Sequence, residues 1–277
     1  MKTRFVNLFI PILAASICFS HAQEIGKGKS EDGLPPKVQK PEAIKFKHSS
    51  FTFVRVKYSS AGGHTSERWA IDYPGADLNF TARFHQETGL KVDTNGLVLE
   101  LTEPRLKNYP FIYIAEGGRI QFSAAEIQSL RAYLLGGGFL MADDFWGEPE
   151  WRNLYREIKR VFPEDKYEPK ELPLDHPIFR CVFDMKEKPQ VPNVVLGTAS
   201  LSPGPYFGVT WERPDAKEVH FRGMFDDKGR LMAIFCHNTD LGDGWECEGE
   251  NQNYFRAFSL KKAFPMGINI VVYALSH

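Results

Sequence analysis

Short runs of consecutive apolar residues alternate with amphipathic stretches, and this alternation limits the chain to few architectures. "FIYIA" and "FLMA" are apolar throughout, where a strand with one wet face would alternate apolar and polar. Between them "SAAEIQSLRAYLLGGG" has a capping box, Ser123 with Glu126 three residues on, then Ile127, Leu130 and Leu134 on one face and glycines at its end. "EPEWRNLYREIKRVFP" follows with Trp151, Leu154, Tyr155, Ile158, Val161 and Phe162 at helical spacing, stopped by Pro163. Strands buried on both faces and separated by such helices predict an α/β fold, a three-layer sandwich around a mainly parallel sheet.

The rest of the chain extends that pattern. "FTFVRVKY" (Phe51 to Tyr58) reads as a strand and "GADLNFTARFHQETG" as a helix, with Asp77 as its candidate N-cap and Gly89 as its stop. Further on, "PYFGVTW" and "RLMAIFCHN" read as strands, and Ile268, Val271, Val272 and Leu275 mark a closing helix. No internal repeat or second linker appears, so residues 48–277 are expected to form one domain.

Ahead of it lie two segments of a different kind. Met1 to Ala22 has a basic start (Lys2, Arg4), an apolar stretch from Phe5 to Phe19 and a small-x-small end, Ser20-His21-Ala22, which predicts a signal peptide and export to the periplasm or medium. Acylation of Cys18 is the alternative, disfavoured because Ile17 stands where that processing wants a small side chain. Residues 23–47 are rich in Lys, Glu, Gly and Pro without an apolar period and read as a flexible leader. No transmembrane segment is expected in the mature chain.

Charge narrows the partners. The whole chain has 34 basic and 35 acidic residues, and cleavage after Ala22 removes two basic ones, leaving 32 against 35, a net of −3. That balance attracts neither nucleic acid nor anionic lipid. Cys181, Cys236 and Cys247 remain, an odd number that leaves at least one unpaired within the monomer, and no CxxC spacing builds a structural zinc site.

In parallel sheets ligands bind beyond the carboxyl ends of the strands. The rule selects Glu116 after "FIYIA", then Asp143, Asp144 and Trp146 after "FLMA", then His237, Asn238, Asp240 and Trp245 in "FCHNTDLGDGWE". Asp143, His237 and Asp240, with Asp144, Asn238 and Asp243, are the candidate ligands for a hard divalent cation; otherwise no cofactor is implied. Adjacent Asp143 and Asp144 cannot both point inward. Asp143, His176, His237 and Asp240 are the catalytic candidates should the protein be a hydrolase. His176, in "LPLDHPIF", is also readable as a turn histidine packed under Phe179. Trp146, Trp211 and Trp245 beside polar groups suit a carbohydrate or other small-molecule ligand, or a protein contact.

"YPFIYIAEGG", "LRAYLLGGGFLMADD", "DHPIF", "CHNTDLGDGWE" and "FPMGINIVVYALSH", in that order, resemble the bacterial proteins of domain-of-unknown-function family 4159. The resemblance implies a fold like that of the class I glutamine amidotransferases and the flavodoxin-like group. It implies no activity. The amidotransferase nucleophile sits on a G-x-C-x-G elbow, which this sequence lacks, and Cys236 and His237, as strand neighbours, point to opposite faces. Glutaminase chemistry is therefore not expected, and a ligand-binding or assembly module is the primary reading. "AEGGRIQFS" has no Lys or Ser/Thr at phosphate-loop spacing, which disfavours nucleotide binding.

Overall fold

The computed structural model describes residues 50–59 and 67–277. The signal-peptide and leader expectations fall on residues outside these. A seven-stranded sheet of order β2-β1-β3-β4-β7-β6-β5 organises the chain. β1 (Phe51–Lys57), β2 (Val92–Glu100), β3 (Phe111–Ile114), β4 (Phe139–Phe145) and β7 (Leu231–His237) run parallel. β5 (Lys170–Glu171) and β6 (His220–Phe225) close one edge antiparallel.

The unbroken apolar runs have a direct explanation in the core, because alternate residues enter two different clusters. Phe53, Phe111, Tyr113, Phe139, Met141, Ile234 and Cys236 face one layer with Phe80 and Phe84 of α1 (Gly75–Thr88) and Ile268 and Val272 of α7 (Phe264–Ser276). Val54, Ile112, Ile114, Leu140, Ala142 and Phe235 face the other, with Leu130 and Leu134 of α2 (Ala124–Leu135) and Leu154, Ile158 and Val161 of α3 (Gly147–Val161). Helices on both sides of the sheet make three layers. Shorter helices α4 (Val194–Ser200), α5 (Leu241–Glu246) and α6 (Gln252–Tyr254) join these elements, and a π-helical stretch, Phe255–Ala263, runs from α6 into α7.

The capping box forms as expected: Ser123 Oγ accepts from Glu126 N at 3.3 Å while Glu126 Oε2 accepts from Ser123 N at 2.8 Å. Gly89 stops α1 at φ +72°. Asp77, expected to cap α1, instead lies inside its first turn, because its carboxylate is drawn to buried Arg55. "PYFGVTW" forms turns rather than a strand: Pro205 and left-handed Gly208 interrupt it, and Phe207 is 64% exposed. The strand paired with β7 is β6, across a turn where Asp226 Oδ1 accepts from Lys228 N and Arg230 N. β2 has no clear apolar alternation because it is an edge strand, half-buried and broken at Gly96 (φ +62°). Among the described residues, no helix is long and apolar enough to cross a membrane.

Candidate functional site

β3, β4 and β7 are parallel neighbours, so the loops that follow them share one rim of the sheet. The loop after β1 joins them there. Asp72, Glu116, Asp144 and Asn238 are the four described non-glycine residues with positive φ, at 61°, 45°, 54° and 62°; Asp72, Glu116 and Asn238 lie in the loops after β1, β3 and β7, and Asp144 within the end of β4. Left-handed backbone costs a side-chain-bearing residue free energy, and such residues collect at functional sites.

Buried Arg55 on β1 fixes the first loop. Its Nη1 donates to the carbonyls of Trp69 and Ile71 at 3.0 and 2.9 Å, while its Nε donates to Asp77 at 3.0 Å. Asp72 is thereby held over the ends of β1 and β3. At the end of β4, Asp143 Oδ2 accepts from Leu241 N at 2.8 Å and Gly242 N at 3.1 Å, with Tyr113 Oη at 3.4 Å. Asp240 caps α5, its Oδ1 accepting from Asp243 N at 2.8 Å; Asp243 Oδ2 accepts in turn from Val194 N at 2.8 Å. Carboxylate oxygens of Asp72, Asp240 and Asp243 lie within 4.8 Å of one another.

Asp143 and Asp144 both act on this cluster, each raising the Asp240 carboxyl, although strand alternation would turn them apart. The ladder between β4 and β7 shifts register between Ala142 and Phe145, and the left-handed Asp144 breaks the pleat. Its carboxylate consequently shares a field with Glu116, Asp72 and Asp143.

Burial is the main cause that raises the acids' pKa values, and mutual repulsion adds to it. Asp72 is pushed well up by burial and then by Asp243 and Glu246; Asp240 by burial and then by Asp144 and Asp243. Burial lifts Asp143 to about 7 and Asp243 to about 6, and burial with the Asp243 charge lifts Glu246 to about 7. Arg55 offsets this only in part: its charge lowers the Asp72 and Glu246 pKa values, but its carboxylate hydrogen bonds go to Asp77.

The histidines lie elsewhere. His237 is 0% exposed, its ring parallel to Phe145 at 5.1 Å. Arg222 Nη1, which can only donate, faces Nδ1 at 2.9 Å, so Nε2 bears the hydrogen donated to Gly147 O at 3.1 Å. Both nitrogens are thus committed in a neutral ring, which burial holds near a pKa of about 4, and His237 offers the acids neither a metal ligand nor a base. His176 is at the opposite end of the sheet: its Nδ1 accepts from Ile178 N and its ring meets Phe225, which pairs with Leu231 at the start of β7.

Other expected ligand residues prove to be struts. Asn238 ties two loops, accepting from Gly147 N at 2.8 Å and donating to Glu218 O at 2.6 Å. Glu116 pairs with Arg68 at 2.9 Å. Trp146 is 3% and Trp245 0% exposed, the latter packed against Phe53, Phe80 and Tyr113, so neither presents a face for a sugar ring; Trp211, half-buried, lies below Lys217. Cys181, Cys236 and Cys247 are not joined by a disulfide, and burial pushes the Cys236 thiol well up. A groove of about 440 Å³ opens beside Trp146, lined also by Arg119, Glu150, Asn153, Arg213 and Asp215.

Asp72, Tyr113 and Glu246 were not singled out in the sequence. The strand-end rule, applied to the loop after "FTFVRVKY" as to the other three, points to Asp72; Tyr113 and Glu246 carry no such signal, since one reads as core and the other as an ordinary helical acid.

No curated protein matches this sequence. The model of one family does, over residues 52–275. That span is most of the chain and includes every element that builds the rim, so the chain belongs to the family named DUF4159, a domain of unknown function.

Proposed function

We propose that the protein is an exported binding module on an amidotransferase-like, flavodoxin-like scaffold without the thiol nucleophile, and that its rim takes a ligand bringing positive charge or hydrogen-bond donors. The observation that carries this reading is the acidic recess itself: Asp72, Asp240 and Asp243 bring carboxylate oxygens together, Asp143 and Asp144 add to their field, and among the described residues no unpaired cationic side chain lies with them. Buried like charges are costly, and a fold retains them where something else offsets the repulsion. Export rests on the Met1 to Ala22 pattern. The test is a thermal-shift screen of amines, polyols and metal ions against the parent and Asp240→Asn. At least one class should stabilise the parent and leave the variant unmoved; a screen in which nothing moves the parent defeats the reading.

Hydrolysis is the second reading, favoured by Asp143, whose carboxyl, lifted to about 7, is suited to exchange a proton near neutral pH. Turnover of ester or glycoside substrates that disappears in Asp143→Asn would support it.

A further inference from the structure

We propose that Asp72, Asp240 and Asp243 form a site for one hard divalent cation of the calcium and magnesium class. The proposal rests on the binding-module reading above and names the ligand of that same recess. Three carboxylates supply oxygen donors only, which suits a hard ion. Their oxygens lie within 4.8 Å of one another. Two oxygens on opposite sides of a calcium ion stand about 4.6 to 5.2 Å apart, at twice the usual bond length, so the spread of these carboxylates suits one such ion between them.

A second observation points to the ligand. Asp72 is 7% exposed and its Oδ2 is buried without a hydrogen-bond donor. That oxygen is directed at the backbone of Gly242, where a β-carbon would stand 2.7 Å from it, 3.0 Å from Tyr113 Oη and 3.4 Å from Asp240 Oδ1. These polar atoms converge on one spot, which only glycine leaves open. The Glu246 carboxyl lies within hydrogen-bonding reach of Asp72, and between two carboxyl groups such a contact needs a shared proton or a cation.

The donors are also preorganised. Asp240 and Asp243 each have one oxygen held by a backbone N–H, from Asp243 and Val194, and the loop bearing Asp72 is tied down by Arg55. A cation therefore meets ligands whose order is established by the fold, and ordering costs little on binding. A neighbouring set, Asp243, Glu246 and Cys247, includes sulfur and would prefer a softer ion such as zinc.

The secreted chain, stripped with EDTA and dialysed, is titrated calorimetrically with CaCl2, MgCl2, MnCl2 and ZnCl2, with thermal unfolding in parallel. The expected result is one equivalent of calcium, magnesium or manganese bound with a rise in Tm, weakened at least about tenfold in Asp240→Asn and in Asp243→Asn. Asp175→Asn, at an exposed position remote from the rim, should bind as the parent does. Circular dichroism of the variants separates lost ligands from lost fold. Absence of binding at millimolar hard cation, or undiminished binding by folded Asp240→Asn, overturns the proposal, as does binding confined to zinc and lost in Cys247→Ser. If no hard cation binds but an amine or polyol does, dependent on Asp240, the cation site falls and the binding module stands.

Discussion

Leu241 donates its backbone N–H to Asp143 Oδ2 at 2.8 Å across 98 positions of sequence, and so the end of β4 clamps the start of α5. Gly242 N adds a second bond to the same oxygen, and both partners are buried. Asp143→Ala leaves two buried donors without an acceptor and should cost about 2 to 5 kcal/mol in urea unfolding. Asp143→Asn retains an acceptor oxygen and should cost clearly less; equal losses in the two variants would show that the clamp contributes nothing.

Arg55 and Asp77 form the other buried anchor of the rim. Arg55→Ala strands a buried carboxylate and unties the Trp69 and Ile71 carbonyls, an expected loss of about 3 to 5 kcal/mol. Arg55→Met combined with Asp77→Leu removes both charges and should unfold at higher urea concentration than Arg55→Ala alone.

Thermal stability without metal should depend on pH in a defined direction. Asp143 and Glu246, at about 7, and Asp243, at about 6, hold their protons more tightly folded than unfolded. Their contribution is complete below about pH 4, the unfolded carboxyl value, and is lost as pH rises through about 6 to 7. His237 has the opposite sign: at about 4 in the fold, it contributes fully above about pH 6.5 and progressively less below. From pH 6.5 to 8 the acids act alone, and the Tm of EDTA-treated protein should fall. Asp240→Asn, which removes one repelling charge, should flatten that fall; a Tm that rises with pH there contradicts the assignment.

Thiol chemistry offers a separate check. Cys236 is fully buried and the Cys181 thiol is pushed up to about 12 by burial, so neither should react with iodoacetamide in the native state at neutral pH. If the chain is exported and cleaved after Ala22, the unfolded protein should take up three alkyl groups and show Gln23 at its N-terminus. A fourth alkyl group would show that Cys18 was retained, and an acylated Cys18 would mark a lipoprotein. Release of ammonia from glutamine that is lost in Cys236→Ser would refute the exclusion of glutaminase chemistry.

Much of the scaffold was legible in the sequence because the physics that decides it is periodic. Continuous apolar runs in β3, β4 and β7 required cover on both faces, and parallel order then put Glu116, Asp143 and Asp240 on one rim. What failed was reasoning that assumed regular backbone. Asp144 departs from alternation through a left-handed residue that no local signal announces, and "PYFGVTW" has strand-like residues but the turns of Pro205 and Gly208. His237 looked like a ligand beside Asp240; its commitment depends on Arg222 and Gly147, which reach it only through the fold. Asp72 is far from the other acids in sequence, and Arg55 brings its loop to them.

The most direct test of the rim as a ligand site is the Tm of EDTA-treated Asp240→Asn against the parent at pH 7.5. Asn caps a helix about as well as Asp, so α5 should be retained while one repelling charge is removed. If the acids are kept for a ligand at the expense of stability, the variant melts at the same temperature as the parent or higher. A lower Tm would mean that Asp240 is there to hold the fold, and would contradict the account.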